Sequence, residues 1–426
     1  MSVKGDRENN RKTMYPLTRR EFLKALGVYA ALPVLGRKLG QLEALAQAQN
    51  QMVDVYVARN GSPTTNVSRV IELAGGIQRF IDHDDVVVLK PNGQWPNQGY
   101  THTECLKALI EVILARPGGF GGEIILIEHV HRDPTTAMSD SYCWNMAASK
   151  RVNNWPDMNY LELIADFQNR GFANVSADPL YDSGQGNWEK VTGPAAVGAG
   201  KQGWVHASYT TAANERTVEL SYPILRSGYS DRLIDLKNGV WQSGSYTGQK
   251  VKLIFLPTLN NHGAFNSEDY AGPTSALKTH IGIVDFGNLS DNSLHGIGYS
   301  NPISPRAMGE SVGYLITQHL RPAFYMTCAE YTGYRSRTDT TAAHTRTVGL
   351  CADPVTLDYW MCKYVMYPCA TSQAFMNPDN ENNLKKALLG CYSKGVGTIY
   401  ETEMRAHLSD FNLDQQVYLP VVGKSR

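Results

Sequence analysis

The sequence predicts an α/β protein: a Rossmann-like, mostly parallel sheet flanked by helices, with a β-rich insertion. Three observations lead there. Val86-Val87-Val88-Leu89 and Ile124-Ile125-Leu126-Ile127 are short, continuous apolar runs, the pattern of strands buried on both faces. Between them Leu106, Leu109, Ile110 and Ile113 recur at helical spacing. Over residues 178–250 the pattern changes to glycine-rich turns and alternating runs such as Thr217-Val218-Glu219-Leu220, which reads as the insertion, a lid beside the sheet.

Residues 1–46 stand apart from that fold. Thr18-Arg19-Arg20-Glu21-Phe22-Leu23-Lys24 resembles the twin-arginine export signal. A weakly apolar stretch over residues 25–36 follows, then Ala44-Leu45-Ala46 as a small-residue cleavage site. The resemblance implies Arg19 and Arg20 as targeting residues, the twin-arginine translocase as a transient partner, and a periplasmic or extracellular destination. That route carries chains already folded. No later run approaches the roughly 20 apolar residues of a membrane helix, so no membrane is expected in the mature form.

Residues 47–177 hold the first β-α-β-α-β part. Residues 53–58 read as a strand, and Val67, Val70, Ile71 and Leu73 as one helix face. The strand ending in Lys90-Pro91-Asn92 follows, then the helix from about Thr101 or Thr103 and the strand ending in Glu128. Residues 251–426 continue the α/β part. A buried run over 251–256 and a helix over 312–320 come first, then strands at 323–327 and 347–351. Asp353 reads as a helix cap with Pro354 at the first helical position, and a last helix covers 382–393.

Composition excludes some classes. The 426 residues carry 40 basic and 40 acidic side chains, so the basic bias that marks nucleic-acid binding is absent. No two of the seven cysteines are spaced Cys-x-x-Cys, so neither a zinc ribbon nor an iron–sulfur cluster is expected. Four lie between Cys351 and Cys391, where an oxidising compartment would permit one or two disulfides. Two catalytic motifs match by letter only. Gly309-Glu310-Ser311-Val312-Gly313 has no buried strand before it, as a nucleophile elbow requires, and reads as a helix start. Gly198-Ala199-Gly200-Lys201-Gln202-Gly203 precedes a strand rather than a helix, so it is no dinucleotide loop.

Open α/β sheets place ligands at the carboxyl ends of their strands. Lys90 and Asn92 follow one strand, Glu128, His129 and His131 the next, and Asn260, Asn261 and His262 a third. Asp353 follows the strand over 347–351, and Thr274, Lys278 and His280 lie on the loop beyond His262. Each has a plain structural reading: Lys90 as a snorkelling surface lysine, Asp353 as a cap. Their shared placement favours an anion clamp or a metal site. In that reading Glu128 and His262 move protons, and Lys90, Asn92, Asn261, Thr274, Lys278 and Asp353 hold a small-molecule ligand. His129 and His131 are the candidates for a divalent metal. Glu128, set between Lys90 and Lys278, is expected to stay ionised.

Leu89-Lys90-Pro91-Asn92, the helix after Thr101 and the strand ending in Glu128 resemble the opening of the domain of unknown function 362. So do Leu256-Pro257-Thr258-Leu259 with His262, Gly272-Pro273-Thr274-Ser275-Ala276-Leu277-Lys278, and Asp353-Pro354-Val355-Thr356-Leu357-Asp358 with Gly395-Val396-Gly397. The chain departs from that family in having Asn260 and Asn261 before His262, and Thr279 after Lys278. The resemblance implies an α/β fold and these site positions, and leaves the activity open. An exported enzyme acting on an anionic or metal-linked small molecule, and a non-catalytic periplasmic binding or accessory protein, both fit. Iron–sulfur electron transfer fits less well.

Overall fold

The computed structural model describes residues 52–94, 99–130, 133–151, 153, 157–212, 216–263, 268–269, 272–287, 292–295, 303–336, 341–370, 374–413 and the backbone of 417–420. Arg19, Arg20 and the rest of the export segment lie outside these residues, as does His131.

β1 (Val53–Arg59), α1 (Pro63–Leu73), β2 (Val86–Pro91), α2 (Thr103–Leu114), β3 (Glu123–His129), α3 (Tyr160–Asn169) and β4 (Val175–Leu180) come first in the chain. Next are β5 (Trp188–Val191), β6 (Gln202–Thr210), β7 (Thr217–Arg226), β8 (Leu233–Asp235), β9 (Gly239–Gln242) and β10 (Ser245–Tyr246). The last part holds β11 (Val251–Leu256), β12 (Leu259–Asn260), a helical turn (Lys278–Ile283), α4 (Pro305–Gln318), β13 (Phe324–Gly333), β14 (Ala343–Cys351), α5 (Pro354–Met361), α6 (Asn383–Tyr392), β15 (Met404–Asp410) and β16 (Val417–Pro420).

The fold is mixed α/β, with a mostly parallel main sheet in the order β16-β15-β1-β14-β13-β11-β2-β3-β4. β13, β11, β2, β3 and β4 form its parallel run. β14 runs antiparallel to both β13 and β1. β1 therefore does not neighbour β2 as a simple β-α-β-α-β order suggests; it lies between β14 and the parallel β15. The later strands β11, β13 and β14 occupy the space between β1 and β2.

Successive residues of the strands feed two separate cores, as a pleated strand requires. Val87, Leu89, Ile124 and Leu126 pack with α1, α2 and α3 on one face. Val86, Val88, Ile125 and Ile127 pack on the other with α4, α5, α6 and the second sheet, whose order is β10-β9-β8-β7-β6-β5. Trp204, Leu220 and Ile234 of that second sheet share one buried cluster with Val86 and Val88. The β-rich insertion thus packs beside the sheet as expected, and does so as a layer of the core rather than as a lid. Its first residues, Asp178 to Leu180, belong to β4 of the main sheet.

The Gly309-to-Gly313 stretch is explained by packing. α4 starts at Ser304, whose hydroxyl accepts from the Ala307 amide, so Glu310 and Ser311 sit mid-helix and not at a helix start. A Cβ on Gly309 would come within 1.9 Å of the Ala387 carbonyl oxygen, and one on Gly390 within 2.1 Å of that of Arg306. The two glycines let α4 and α6 touch backbone to backbone. All seven cysteines are free thiols, including the four between Cys351 and Cys391 that the sequence would allow to pair.

Candidate functional site

Lys90 is the last but one residue of β2, on the same ladder level and face as Phe255 of β11. Its Nζ lies 3.1 Å from Glu128 Oε2 at the end of β3, and both side chains are fully buried, at 1% and 2% exposure. The same ammonium donates to Thr279 Oγ1 at 3.3 Å. Thr279 also accepts from Asn92 Nδ2 at 3.1 Å, and Asn92 Oδ1 accepts from the Thr258 amide at 3.0 Å. The ends of β2, β3 and β11 are thereby joined through side chains, as expected from their shared edge. Space for this network depends on glycine. A Cβ on Gly282 would stand 2.7 Å from Lys90 Nζ, and one on Gly93 would meet Cys143 Sγ at 2.4 Å and Glu128 Cγ at 3.1 Å.

Glu128 departs from expectation. Only Lys90 reaches it, and burial outweighs both Lys90 and the hydrogen bond from the His129 amide, pushing its pKa up to about 7. The carboxyl therefore exchanges its proton near neutrality instead of staying firmly ionised, which suits a proton-transfer group.

A second group forms next to the first. Asp269 pairs with His262 Nδ1 at 3.1 Å and with Lys278 Nζ, in partly to fully buried surroundings. Burial works against ionised Asp269, but Lys278 and His262 together hold its carboxyl well below the usual range. Lys278 and Thr279 are consecutive, so one turn serves both groups. That turn is anchored from behind by buried Asp358, which accepts from Ser275 Oγ and the amides of Ala276 and Leu277, each at 2.7 Å. The Asp353-to-Asp358 and Gly272-to-Lys278 stretches, distant in sequence, are thus physically one unit. Burial leaves Asp358 itself near pKa 7.

The remaining candidates do other work. Asp353 caps α5 through the Thr356 amide at 2.8 Å. A Cβ on Gly397 (φ +63°) would fall 1.9 Å from its Oδ1, so the Gly395-Val396-Gly397 stretch makes room for this cap. Because β14 runs antiparallel, Asp353 does not leave the sheet in the direction of Lys90 and Glu128, and among the described residues no hydrogen bond joins it to them. The sequence run of Thr347 to Cys351 carried no sign of that direction. Asn261 Nδ2 donates to the Arg335 carbonyl and its amide to that of Gly333, latching β12 to β13. Thr274 exchanges two backbone hydrogen bonds with Asn260.

His129 is buried under Phe286, ring centroids 4.2 Å apart, with Nδ1 on the Val284 carbonyl and Nε2 2.8 Å from Asp182 but poorly aligned. Both ring nitrogens face protein groups, which leaves His129 badly placed as a metal ligand. Among the described residues no three His, Cys, Asp or Glu side chains converge as a metal site. His280 sits between the Leu277 carbonyl and Tyr325 Oη, and burial, with Lys90 adding to it, lowers its pKa to about 4. It is a neutral strut under the site.

Asp269 and Thr279 escaped the sequence reading. Asp269 lies in a loop with no pattern. Thr279 was visible only as a departure from the family in the residue after Lys278. No helix among the described residues is long and apolar enough to cross a membrane. Comparison with protein-family models, curated proteins and solved structures returns no match for this chain.

Proposed function

We propose that this chain is an exported protein of the domain of unknown function 362 type that binds an anionic small molecule at the carboxyl edge of β2, β3 and β11 and exchanges a proton with it. Lys90 and Lys278 supply positive charge, Glu128 is the proton-transfer group, and His262 with Asp269 is a second acid–base pair. The observation that carries this reading is the buried Lys90–Glu128 pair at 3.1 Å with Glu128 at about pKa 7. A buried ion pair is a weak source of stability, since its desolvation offsets most of its attraction, and apolar replacements of similar volume often fold as well. A carboxyl kept near neutrality is, by contrast, what general acid–base chemistry needs.

The test replaces the pair together. Lys90→Met/Glu128→Leu should stay folded, while losing any thermal stabilisation that phosphate, citrate or malonate gives the wild-type mature chain. Stabilisation retained in full by the double variant would refute the site. One observation favours a non-catalytic binding protein: Lys90 and Asn92 already satisfy each other's surroundings through Thr279. Under that reading Glu128→Gln keeps ligand binding unchanged from pH 6 to pH 8, whereas proton exchange makes binding pH-dependent in the wild type alone. Export is tested separately: Arg19→Lys/Arg20→Lys should hold the precursor in the cytoplasm, and normal processing would refute it.

A further inference from the structure

We infer a second binding site: a basic cleft at the amino edge of the main sheet that takes a small polyphosphate or a multiply phosphorylated small molecule. This inference does not rest on the carboxyl-edge proposal. The cleft has a volume of about 480 Å³ and is lined by Arg79, Lys237, Lys250, Lys252 and Arg321. Ligand pockets span about 300–1,000 Å³, so the space suits a small molecule. Val251, the first residue of β11, is part of the wall, while Lys90 lies level with Phe255 near the other end of that strand. At about 3.3 Å per residue the two sites stand roughly 13 Å apart along the sheet.

The charge in this cleft is local. The whole chain balances 40 basic against 40 acidic residues, so no general basic excess accounts for it. Two of the five cations have carboxylate neighbours: Lys250 has Asp82 at 3.7 Å and Lys252 has Asp85 at 3.6 Å. Among the described residues the other three have none. Arg79 donates to the Ala74 carbonyl at 2.9 Å and to Tyr56 Oη at 3.4 Å, both uncharged oxygens. Lys237 faces His319 Nδ1 at 3.2 Å, and burial together with Lys237 itself lowers the pKa of that imidazole. Arg321 makes no ion pair among the described residues. Three positive charges therefore converge on one concavity without a countercharge, and multiple negative charges on one ligand satisfy them.

The walls are built, not incidental. The cations come from four separate segments: the turn after α1, the β8–β9 hairpin, the lead into β11, and the connection from α4 to β13. In the hairpin, buried Asp235 accepts from the Lys237 amide at 2.9 Å, the Asn238 amide at 3.1 Å, Asn238 Nδ2 at 2.9 Å and Tyr246 Oη at 2.6 Å. Its carboxylate is spent on shaping the turn that presents Lys237 and is not turned on the cations. Gly239 (φ +113°) lets that turn close on the opposite wall, since a Cβ there would lie 3.0 Å from the Gln249 carbonyl oxygen.

The experiment is titration calorimetry of the mature protein with inorganic tripolyphosphate at low salt. Binding at this cleft is expected, with affinity that falls as salt rises. Lys237→Ala/Arg321→Ala removes two of the three unmatched cations from exposed positions and should weaken binding about tenfold or more. The same double variant should keep the thermal stabilisation that citrate gives at the carboxyl edge, so failure here and failure of the carboxyl-edge proposal remain distinguishable. Circular dichroism and the thermal midpoint check that the double variant is folded. Absence of binding to the wild type, or equal affinity in the double variant, would each overturn the inference.

Discussion

Replacing Glu128 by glutamine tests the electrostatics of the proposed site directly. Burial raises the carboxyl from its ordinary value of 4.5 to about 7 against the opposing pull of Lys90. Below about pH 4.5 the group is protonated in both folded and unfolded chains. As pH rises the unfolded chain releases its proton first, so the folded state loses stability until the folded pKa is passed. A shift of about 2.5 units at about 1.4 kcal/mol each amounts to a loss on the order of 3 kcal/mol, complete above about pH 7. Asp178 and Asp358 are also pushed up to about 7, so the wild-type curve alone does not isolate Glu128. The variant does: glutamine keeps one oxygen, for Lys90 or for the His129 amide, and cannot ionise. Urea unfolding followed by tryptophan fluorescence at pH 5, 6, 7 and 8 should show the stability difference, wild type minus Glu128→Gln, falling as pH rises. A flat difference would mean that Glu128 ionises like an ordinary carboxylate. A rising one would mean that Lys90 wins over burial. Either result removes the neutral-pH proton from the site.

Three further outcomes follow from the contacts. Asp269→Asn removes a mostly buried carboxylate that pairs with both His262 and Lys278 and should cost about 3–5 kcal/mol at pH 7 by urea unfolding. In the wild type the stability from Asp269 is present at neutral pH and lost as acid titrates a carboxyl held well below its usual range. Gly309→Ala forces α4 from the Ala387 carbonyl and should cost about 1–3 kcal/mol or more, whereas Ser311→Ala, which removes one hydroxyl bonded to the Ala307 carbonyl, should cost about 1 kcal/mol, both read as thermal shifts. Asp353→Ala removes a helix cap and should cost about 1 kcal/mol without altering ligand-induced stabilisation at the carboxyl edge; a selective loss of binding would return Asp353 to the site.

Strands β2, β3 and β11 were legible because a strand covered on both faces is apolar without interruption, and that pattern survives any topology. Direction is not encoded in it. β14 has a buried second half just as β11 does, yet runs the opposite way. β15 was missed because its partly exposed run Met404-Arg405-Ala406-His407 lacks the uniform apolar signature, although it pairs with β1 along its full length. Within the site, Lys90, Asn92 and Glu128 could be placed because they end strands. Their partner Thr279 reaches them from 189 residues beyond Lys90, a distance only the fold can close. The expected charge state of Glu128 failed for a related reason: its burial depends on Cys143, Gly93 and the turn through Gly282 arriving from three parts of the chain.

The position of β1 bears on synthesis. It is the first described strand, yet it takes its two neighbours, β14 and β15, from late in the chain, and Arg59 meets Asp410 across 351 residues of sequence. A nascent chain on the ribosome thus carries β1 with both backbone edges unpaired until β14 has emerged, and with one edge unpaired until β15 has, while β2, β3 and β4 can already pair locally. β1 gains its second neighbour only after translation has passed Asp410, so a chain truncated before β15 keeps an open edge that invites aggregation and proteolysis. Pairing an early strand with a late one makes a finished sheet a report on a fully translated one.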